Sequence, residues 1–299
     1  MINLIKDILK SKLNYQIGQK TWFGTGGKAS IFLTLNSIES LTKFLKYTPK
    51  SLPLFLIGSG SNILIRDGGF DGIAIKLGNY FKKINYNCKN NILTIGGAAK
   101  DIEIAKFCLE NSIIGFEYLR GIPGTLGGNL KMNAGCYDGV ISENLLNCVI
   151  VKRDGEITKF KKKDINFGYR SSSISRNSII VEANFSVKIG KKSEISKKLK
   201  KINNLRNFSQ PVTSRTGGST FKNPPNNEAW KLIDKINFRG KKNGGANVSS
   251  LHTNFLINSG NATSLDIEML GEEIREKVKR KFNIKLSWEL IRIGKFRKL

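Results

Sequence analysis

Two glycine-rich stretches hold the residues of this sequence best suited to ligand chemistry. Gly58-Ser59-Gly60-Ser61-Asn62 follows an apolar run, and Gly121-Ile122-Pro123-Gly124-Thr125 continues through Gly127-Gly128-Asn129 to Asn133-Ala134-Gly135. Glycine is disfavoured in helix interiors and central strands, and proline lacks the amide hydrogen, so these are loops whose backbone is the functional part. Such loops present main-chain N–H groups in nests that favour anions or electron-rich ring edges. Neither is a Walker loop, because no Gly-Lys-Ser/Thr follows, and neither is a Gly-x-Gly-x-x-Gly opening a helix. Paired, they suit a diphosphate and a planar ring.

Other chemistries find little support. The four cysteines, Cys88, Cys108, Cys136 and Cys148, show no Cys-x-x-Cys spacing, and His252 is the single histidine, so no metal site is expected. Cys136 closes the second glycine stretch, but a catalytic thiol wants a base beside it. Two further segments combine polar and special backbone residues: Phe167-Gly168-Tyr169-Arg170-Ser171-Ser172, and Gly217-Gly218-Ser219-Thr220-Phe221-Lys222-Asn223-Pro224.

The elements that must position these loops follow from periodicity. Leu4, Ile5, Ile8, Leu9 and Leu13 predict an amphipathic helix over 4–13 that packs on the fold. A strand over 29–35, a helix capped by Asn36 or Ser37 and carrying Leu41, Phe44 and Leu45, and a strand over 53–57 make a βαβ unit that ends in the first glycine loop. Strands are expected at 63–65, 73–77, 92–96, 148–151 and 179–183, with a helix from Asp101 to Ser112 after the small-residue turn Gly96-Gly97-Ala98-Ala99. A basic helix or linker runs through residue 204. Beyond it come a short helix with Trp230, Leu232 and Ile233, a strand at 255–258, a long helix capped by Thr263 or Ser264, and a strand over 286–294 that contains Glu289.

At 299 residues the chain is long enough for two domains, and 39% hydrophobic residues permit a substantial core. No apolar run approaches the roughly 20 residues that span a bilayer, and the first residues do not read as a secretory signal. A cytoplasmic protein without a membrane partner is expected. The net charge of +27, from 50 Lys and Arg against 23 Asp and Glu, raises a nucleic-acid-binding reading. The basic residues are scattered among Asn and Ile, and aromatics are not interleaved with them, so no stacking platform emerges and no nucleic-acid partner is expected. The positive field still favours capture of a polyanionic substrate.

Taken in order, five segments resemble one family: Gly58 to Asn62, Gly121 to Thr125 with Asn133 to Gly135, Gly168 to Ser171, Gly218 to Pro224, and Glu289 before Ile293-Gly294. The resemblance is to the flavoenzyme UDP-N-acetylenolpyruvoylglucosamine reductase of bacterial peptidoglycan synthesis, and it covers nearly the whole chain. It implies an α+β fold: an FAD-binding domain of the vanillyl-alcohol-oxidase type over 1–190, with lobes at about 20–85 and 86–190, and a C-terminal α/β substrate-binding domain over 191–299. It implies FAD and NADPH as cofactors, UDP-N-acetylglucosamine enolpyruvate as substrate, and a monomer. By resemblance, FAD is held by Gly58, Ser59, Gly60, Ser61, Asn62, Gly121, Ile122, Pro123, Gly124, Thr125, Gly128, Asn133, Ala134, Gly135 and Ile180. Tyr169, Lys222 and Asn223 contact the nucleotide sugar, and Arg170, Ser219 and Glu289 are catalytic.

Hydride addition to an enolpyruvyl double bond builds charge toward its carboxylate and leaves a carbanionic centre to be protonated. Arg170 suits the carboxylate and Ser219, in a glycine turn, suits proton delivery; Glu289 assists at one or the other. Two departures stand out. Trp288 is bulky for the position before Glu289, and 169–206 is too short for the tyrosine-bearing substrate loop of some members, so the chain resembles the shorter type. Another flavin oxidoreductase of the same fold is the alternative reading.

Overall fold

The computed structural model describes residues 2–297. The chain forms two compact units, each assembled from separated stretches. The first takes residues up to Lys12, Ile31–Ser59 and Gly72–Leu205; the second takes Leu13–Ser30, Gly60–Asp71 and the chain from Arg206 onward. The last passage of the chain from the first unit to the second falls at Leu205/Arg206.

In the first unit, helix α1 (Ile2–Leu9) ends four residues earlier than its apolar spacing suggests; Leu13, the first residue of the second unit, lies in the strand Lys12–Tyr15. Ile5, Ile8 and Leu9 are about half to four-fifths exposed, and the Leu4 side chain lies outside the described residues. Among the described side chains of this helix Asp7 is buried, its carboxylate accepting from Asn36 N and Nδ2 at 3.1 and 3.0 Å. That contact removes Asn36 from capping. Helix α2 (Ile38–Tyr47) is capped by Ser37, whose hydroxyl accepts from Ser40 N.

The centre of this unit is an antiparallel five-stranded sheet in the order Ile157–Lys161, Leu145–Val151, Ile179–Ser186, Ile92–Gly96, Ile84–Asn87. Its inner strands read as continuous apolar runs because both faces are covered. Cys148, Ile150, Ile180 and Phe185 face a core shared with helices α3 (Asp101–Glu110) and α4 (Leu126–Met132). Val151, Ile179 and Val181 face the opposite core, with Leu41, Phe44 and Leu45 of α2 and the strand residues Leu33, Leu35, Ile73 and Ile75. The strand at 54–56 pairs in parallel with the 70–77 strand, which separates it from the strand at 29–35 in the sheet order. Helix α5 (Lys192–Ser209) resolves the helix-or-linker alternative, and its Ile195, Leu199 and Ile202 are the residues turned inward.

In the second unit an antiparallel sheet, ordered Arg215–Ser219, Phe255–Asn258, Ala246–Val248, Lys242–Asn243, packs with helices α6 (Ala229–Lys235) and α7 (Ser264–Phe282). Phe23 and Leu64 from the early stretches of the chain lie in the same core, and Asn258 Nδ2 donates to Phe23 O at 2.8 Å. Thr263 caps α7 in a capping box with Asp266, and the Asp67 carboxylate accepts from Ser264 N and Leu265 N, both at 2.9 Å. The expected strand over 286–294 is shorter. Only Ile291–Ile293 forms one, parallel to Ile63–Ile65. Residues before it divide their hydrogen bonds between two neighbours, with Glu289 N donating to Thr220 O and Glu289 O accepting from Asn62 Nδ2.

Candidate active site

Within the first unit the two glycine stretches meet. Ser59 Oγ donates to Gly124 O at 3.0 Å, and Leu126 N and Gly127 N at the start of α4 donate to Ala99 O and Gly97 O. The loop is thereby laid against the turn before α3 and against Ile180, whose carbonyl would sit 2.0 Å from a Cβ at Gly97. At Gly124 a Cβ would lie 2.6 Å from Asp101 Oδ2 and 2.9 Å from Asn129 Oδ1, so the backbone must be bare there. Asn133, in the left-handed region at φ 46°, ends α4, and Ala134 N returns to Asn129 O at 2.9 Å. Ile122 packs at the margin of the core, its N–H donating to Leu119 O.

The fit of a flavin dinucleotide can be judged on these atoms. Among the described residues no carbonyl accepts the N–H groups of Gly58 and Ser59. On the first turn of α4 a Cβ at Gly128 would meet only Thr125 Oγ1, at an ordinary 3.7 Å. Unspent peptide donors beside bare backbone suit a diphosphate. The residues present fit the group.

Sequence reasoning missed the residues that hold this loop. Asp101, at the start of α3, is 1% exposed; its Oδ1 accepts from Asn129 Nδ2 at 2.6 Å, and Oδ2 has no partner among the described residues. Burial raises its carboxyl well above the usual carboxylate range, against the hydrogen bonding to Asn129 and the Gly124 backbone that opposes it. Read from the sequence, an Asp opening a helix looks like a solvated dipole partner. Neutral Asp101 contributes stability that is fully present below the unfolded pKa of 3.8 and lost as pH climbs toward the raised folded value. The stability of the wild type relative to Asp101→Asn is therefore expected to fall with rising pH from about 4, at up to about 1.4 kcal/mol per pH unit. Parallel melting profiles for the two proteins would contradict this.

Tyr169 and Arg170 form the turn of a hairpin in which Gly168 pairs with Ser171. Arg170 takes φ 51°, a strained conformation for a residue with a Cβ, and its guanidinium carbon lies 5.3 Å from the Tyr169 ring centre. The hairpin is tied to α4: Asn133 Nδ2 donates to Gly168 O at 3.0 Å, Ser172 Oγ to Lys131 O at 2.8 Å, and Lys131 Nζ to Arg176 O at 2.8 Å. Burial lowers the Lys131 amine to about 8. The segment that carries Arg170 and the segment that follows the glycine loop are thus one piece. Cys136, in the short hairpin beyond, donates from Sγ to Tyr118 O at 3.3 Å.

The second unit holds the other candidates. Ser219 is paired with Phe255, and Gly218 before it, at φ 78°, has nothing within 4 Å of where a Cβ would be, so open space lies beside Ser219. The Ser219–Lys222 segment runs against Ser287–Leu290: Phe221 bridges Trp288, Lys222 N donates to Ser287 O and Glu289 N to Thr220 O, both at 2.9 Å. Asn254 fixes the other side, accepting from Phe221 N at 3.0 Å and donating to Phe221 O at 2.9 Å. Ser219, Lys222 and Glu289 are brought onto adjoining segments in this way, and Asn62 joins them through Glu289 O at 3.2 Å. Gly60 O accepts from Trp22 N at 3.0 Å. The Asn223 Oδ1 accepts from Ala229 N at 2.9 Å, so this amide holds the start of α6. His252 meets Phe255 edge-to-face at 4.8 Å between ring centres. No cluster of His, Cys, Asp and Glu suited to a metal exists among the described residues.

Comparison with known proteins follows this geometry. Residues 29–161 match an FAD binding domain, and residues 210–293 match the C-terminal domain of UDP-N-acetylenolpyruvoylglucosamine reductase. A Rickettsia prowazekii protein of that name is 43% identical over 285 residues, 95% of this chain and 96% of the other. The chain belongs to the UDP-N-acetylenolpyruvoylglucosamine reductase family. A Rickettsia typhi reductase is equally similar, 43% over 285 residues, covering 95% and 96% of the two chains. The crystal structure of the reductase from Thermus caldophilus superposes with a TM-score of 0.81 at 27% identity, covering 95% of this chain and 98% of that one. The reductase fold is α+β, an FAD binding domain joined to the family's C-terminal domain, as the resemblance implied. No helix of the described residues is long and apolar enough to cross a membrane.

Proposed function

We propose that this chain is an FAD-dependent reductase that uses NADPH to convert UDP-N-acetylglucosamine enolpyruvate to UDP-N-acetylmuramate. The observation that carries the reading is the 43% identity over 95% of the chain to reductases of that name, together with a glycine cradle whose donors suit a diphosphate. When bound, FAD supplies two-electron hydride chemistry; the chain's own residues position, neutralise and protonate.

Gly58 to Asn62, Gly121 to Thr125, Gly128, Asn133 to Gly135 and Ile180 are proposed to hold the cofactor through backbone groups. Arg170, presented at a hairpin turn, pairs with the substrate carboxylate and offsets the charge that develops as the double bond is reduced. Ser219 delivers the proton to the carbon that does not receive the hydride. Glu289, on the segment beside Ser219, orients the carboxylate or the proton relay. Lys222, Asn223 and Tyr169 contact the nucleotide sugar, with Asn223 acting in part by setting α6. Hydride and proton together convert the C=C bond to C–C, and NADPH is oxidised to NADP+.

Consumption of NADPH and appearance of the lactyl ether, followed anaerobically by absorbance and mass spectrometry, is expected in a one-to-one ratio. NADPH oxidation that proceeds without the sugar and needs oxygen points instead to a flavin oxidase of the same fold.

A further inference from the structure

Trp288 is the residue that looked too large for its place, and the structure gives it a set of contacts of its own. Its indole Nε1 donates to Glu272 Oε1 of α7 at 2.8 Å. Its ring packs on Phe221 at 5.0 Å between centres, and the Arg292 guanidinium carbon lies 4.4 Å from its ring centre. The far edge of the indole meets α7 at Gly271, where a Cβ would lie 2.1 Å from Trp288 Cη2. Only glycine admits the ring there.

Glu272 is itself fixed. Arg292 Nη1 donates to it at 3.0 Å and Arg275 donates to its other oxygen. Burial raises its carboxyl, but the bonds from Trp288, Arg275 and Arg292 outweigh that and hold it below its ordinary value as the anion. Arg292 also donates to Glu268, 5% exposed, which takes a two-pronged pair from Arg66 at 2.8 and 2.9 Å. Three arginines and two glutamates thus link α7, the Ile63–Ile65 strand end and the last strand into one charged girdle.

We infer that Glu272, through Trp288, positions Glu289 for its part in the reaction. Glu289 follows Trp288 directly. Its peptide is clamped by Thr220 and Asn62, and the one large side chain beside it is bolted to α7. Without the indole bond, the Ser287–Leu290 segment retains its main-chain bonds but loses the hydrogen bond that ties the residue before Glu289 to the helix. The inference rests on the proposed role of Glu289.

The test uses the FAD-loaded full chain and three single variants, with one double variant built from them: Trp288→Phe, which keeps an aromatic ring and deletes the donor; Glu272→Ala, which deletes the acceptor; and Glu289→Gln. Stopped-flow absorbance separates reduction by NADPH from reoxidation by the enolpyruvyl sugar, and calorimetry measures sugar binding to the oxidised protein. Trp288→Phe is expected to slow reoxidation roughly tenfold, the scale of a small misplacement of a reacting group, with reduction by NADPH and sugar affinity unchanged. Glu272→Ala is expected to reproduce it. In the Glu289→Gln background Trp288→Phe is expected to cost nothing further, because both act through one group. Undiminished reoxidation in Trp288→Phe, or losses that multiply in the double variant, overturns the inference. A Glu289→Gln protein that reoxidises at the wild-type rate overturns the role of Glu289 itself.

Discussion

Replacing Ser219 by alanine is expected to abolish reoxidation by the enolpyruvyl sugar while leaving reduction by NADPH intact. The hydroxyl lies beside the open space at Gly218 and on a segment fixed from one side by Asn254 and from the other by Ser287 and Glu289. A positioned general acid is worth roughly 100- to 10,000-fold, and alanine offers no proton. Rapid-mixing absorbance in the absence of oxygen measures the two half-reactions separately. An unchanged rate of reoxidation would move the proton donor elsewhere. The Cys136 thiol, in the first unit, is engaged with the Tyr118 carbonyl.

Substituting Gly124 by valine is expected to give a folded but colourless protein. A Cβ at this position would lie 2.6 Å from Asp101 Oδ2, and Asp101 cannot yield because it is buried and bonded to Asn129. The loop must then move, carrying with it the Gly124 carbonyl that accepts from Ser59. Loss of the cradle should weaken FAD binding by at least about 100-fold, equivalent to roughly 2.8 kcal/mol. Titration of the apoprotein with FAD, followed by quenching of flavin fluorescence, measures this. Native affinity in the variant would remove the 121–125 loop from the cofactor site.

The loops proposed to form this site were legible as loops because glycine and proline are explicit about backbone. The two glycine stretches had no regular element available to them, and the structure joins them through Ser59 and Gly124. Periodicity likewise found α2, α3, α6 and α7 and the apolar strands of the five-stranded sheet. What holds the loops was not legible. Asp101 sits where a helix would ordinarily display a solvated carboxylate, and only the fold buries it. The bonds from Lys131 to Arg176 and from Ser172 to Lys131 join residues 45 and 41 positions apart and leave no period in the sequence. Interleaving of the two units escaped for the same reason, since it depends on which early segments share a core with Phe221 and Leu256. In helix α1 the apolar spacing is helical, yet Ile5, Ile8 and Leu9 are exposed while Asp7 is buried. Trp288 read as a misfit because its partner, Glu272, lies on another element.

The most direct test of the account is the visible spectrum of the purified protein, recorded anaerobically, then with NADPH, then with the enolpyruvyl nucleotide sugar. The account predicts a yellow protein that is bleached by NADPH and regains its colour with the sugar. A protein that is colourless and takes up no FAD, or one whose reduced flavin is indifferent to the sugar, would contradict it.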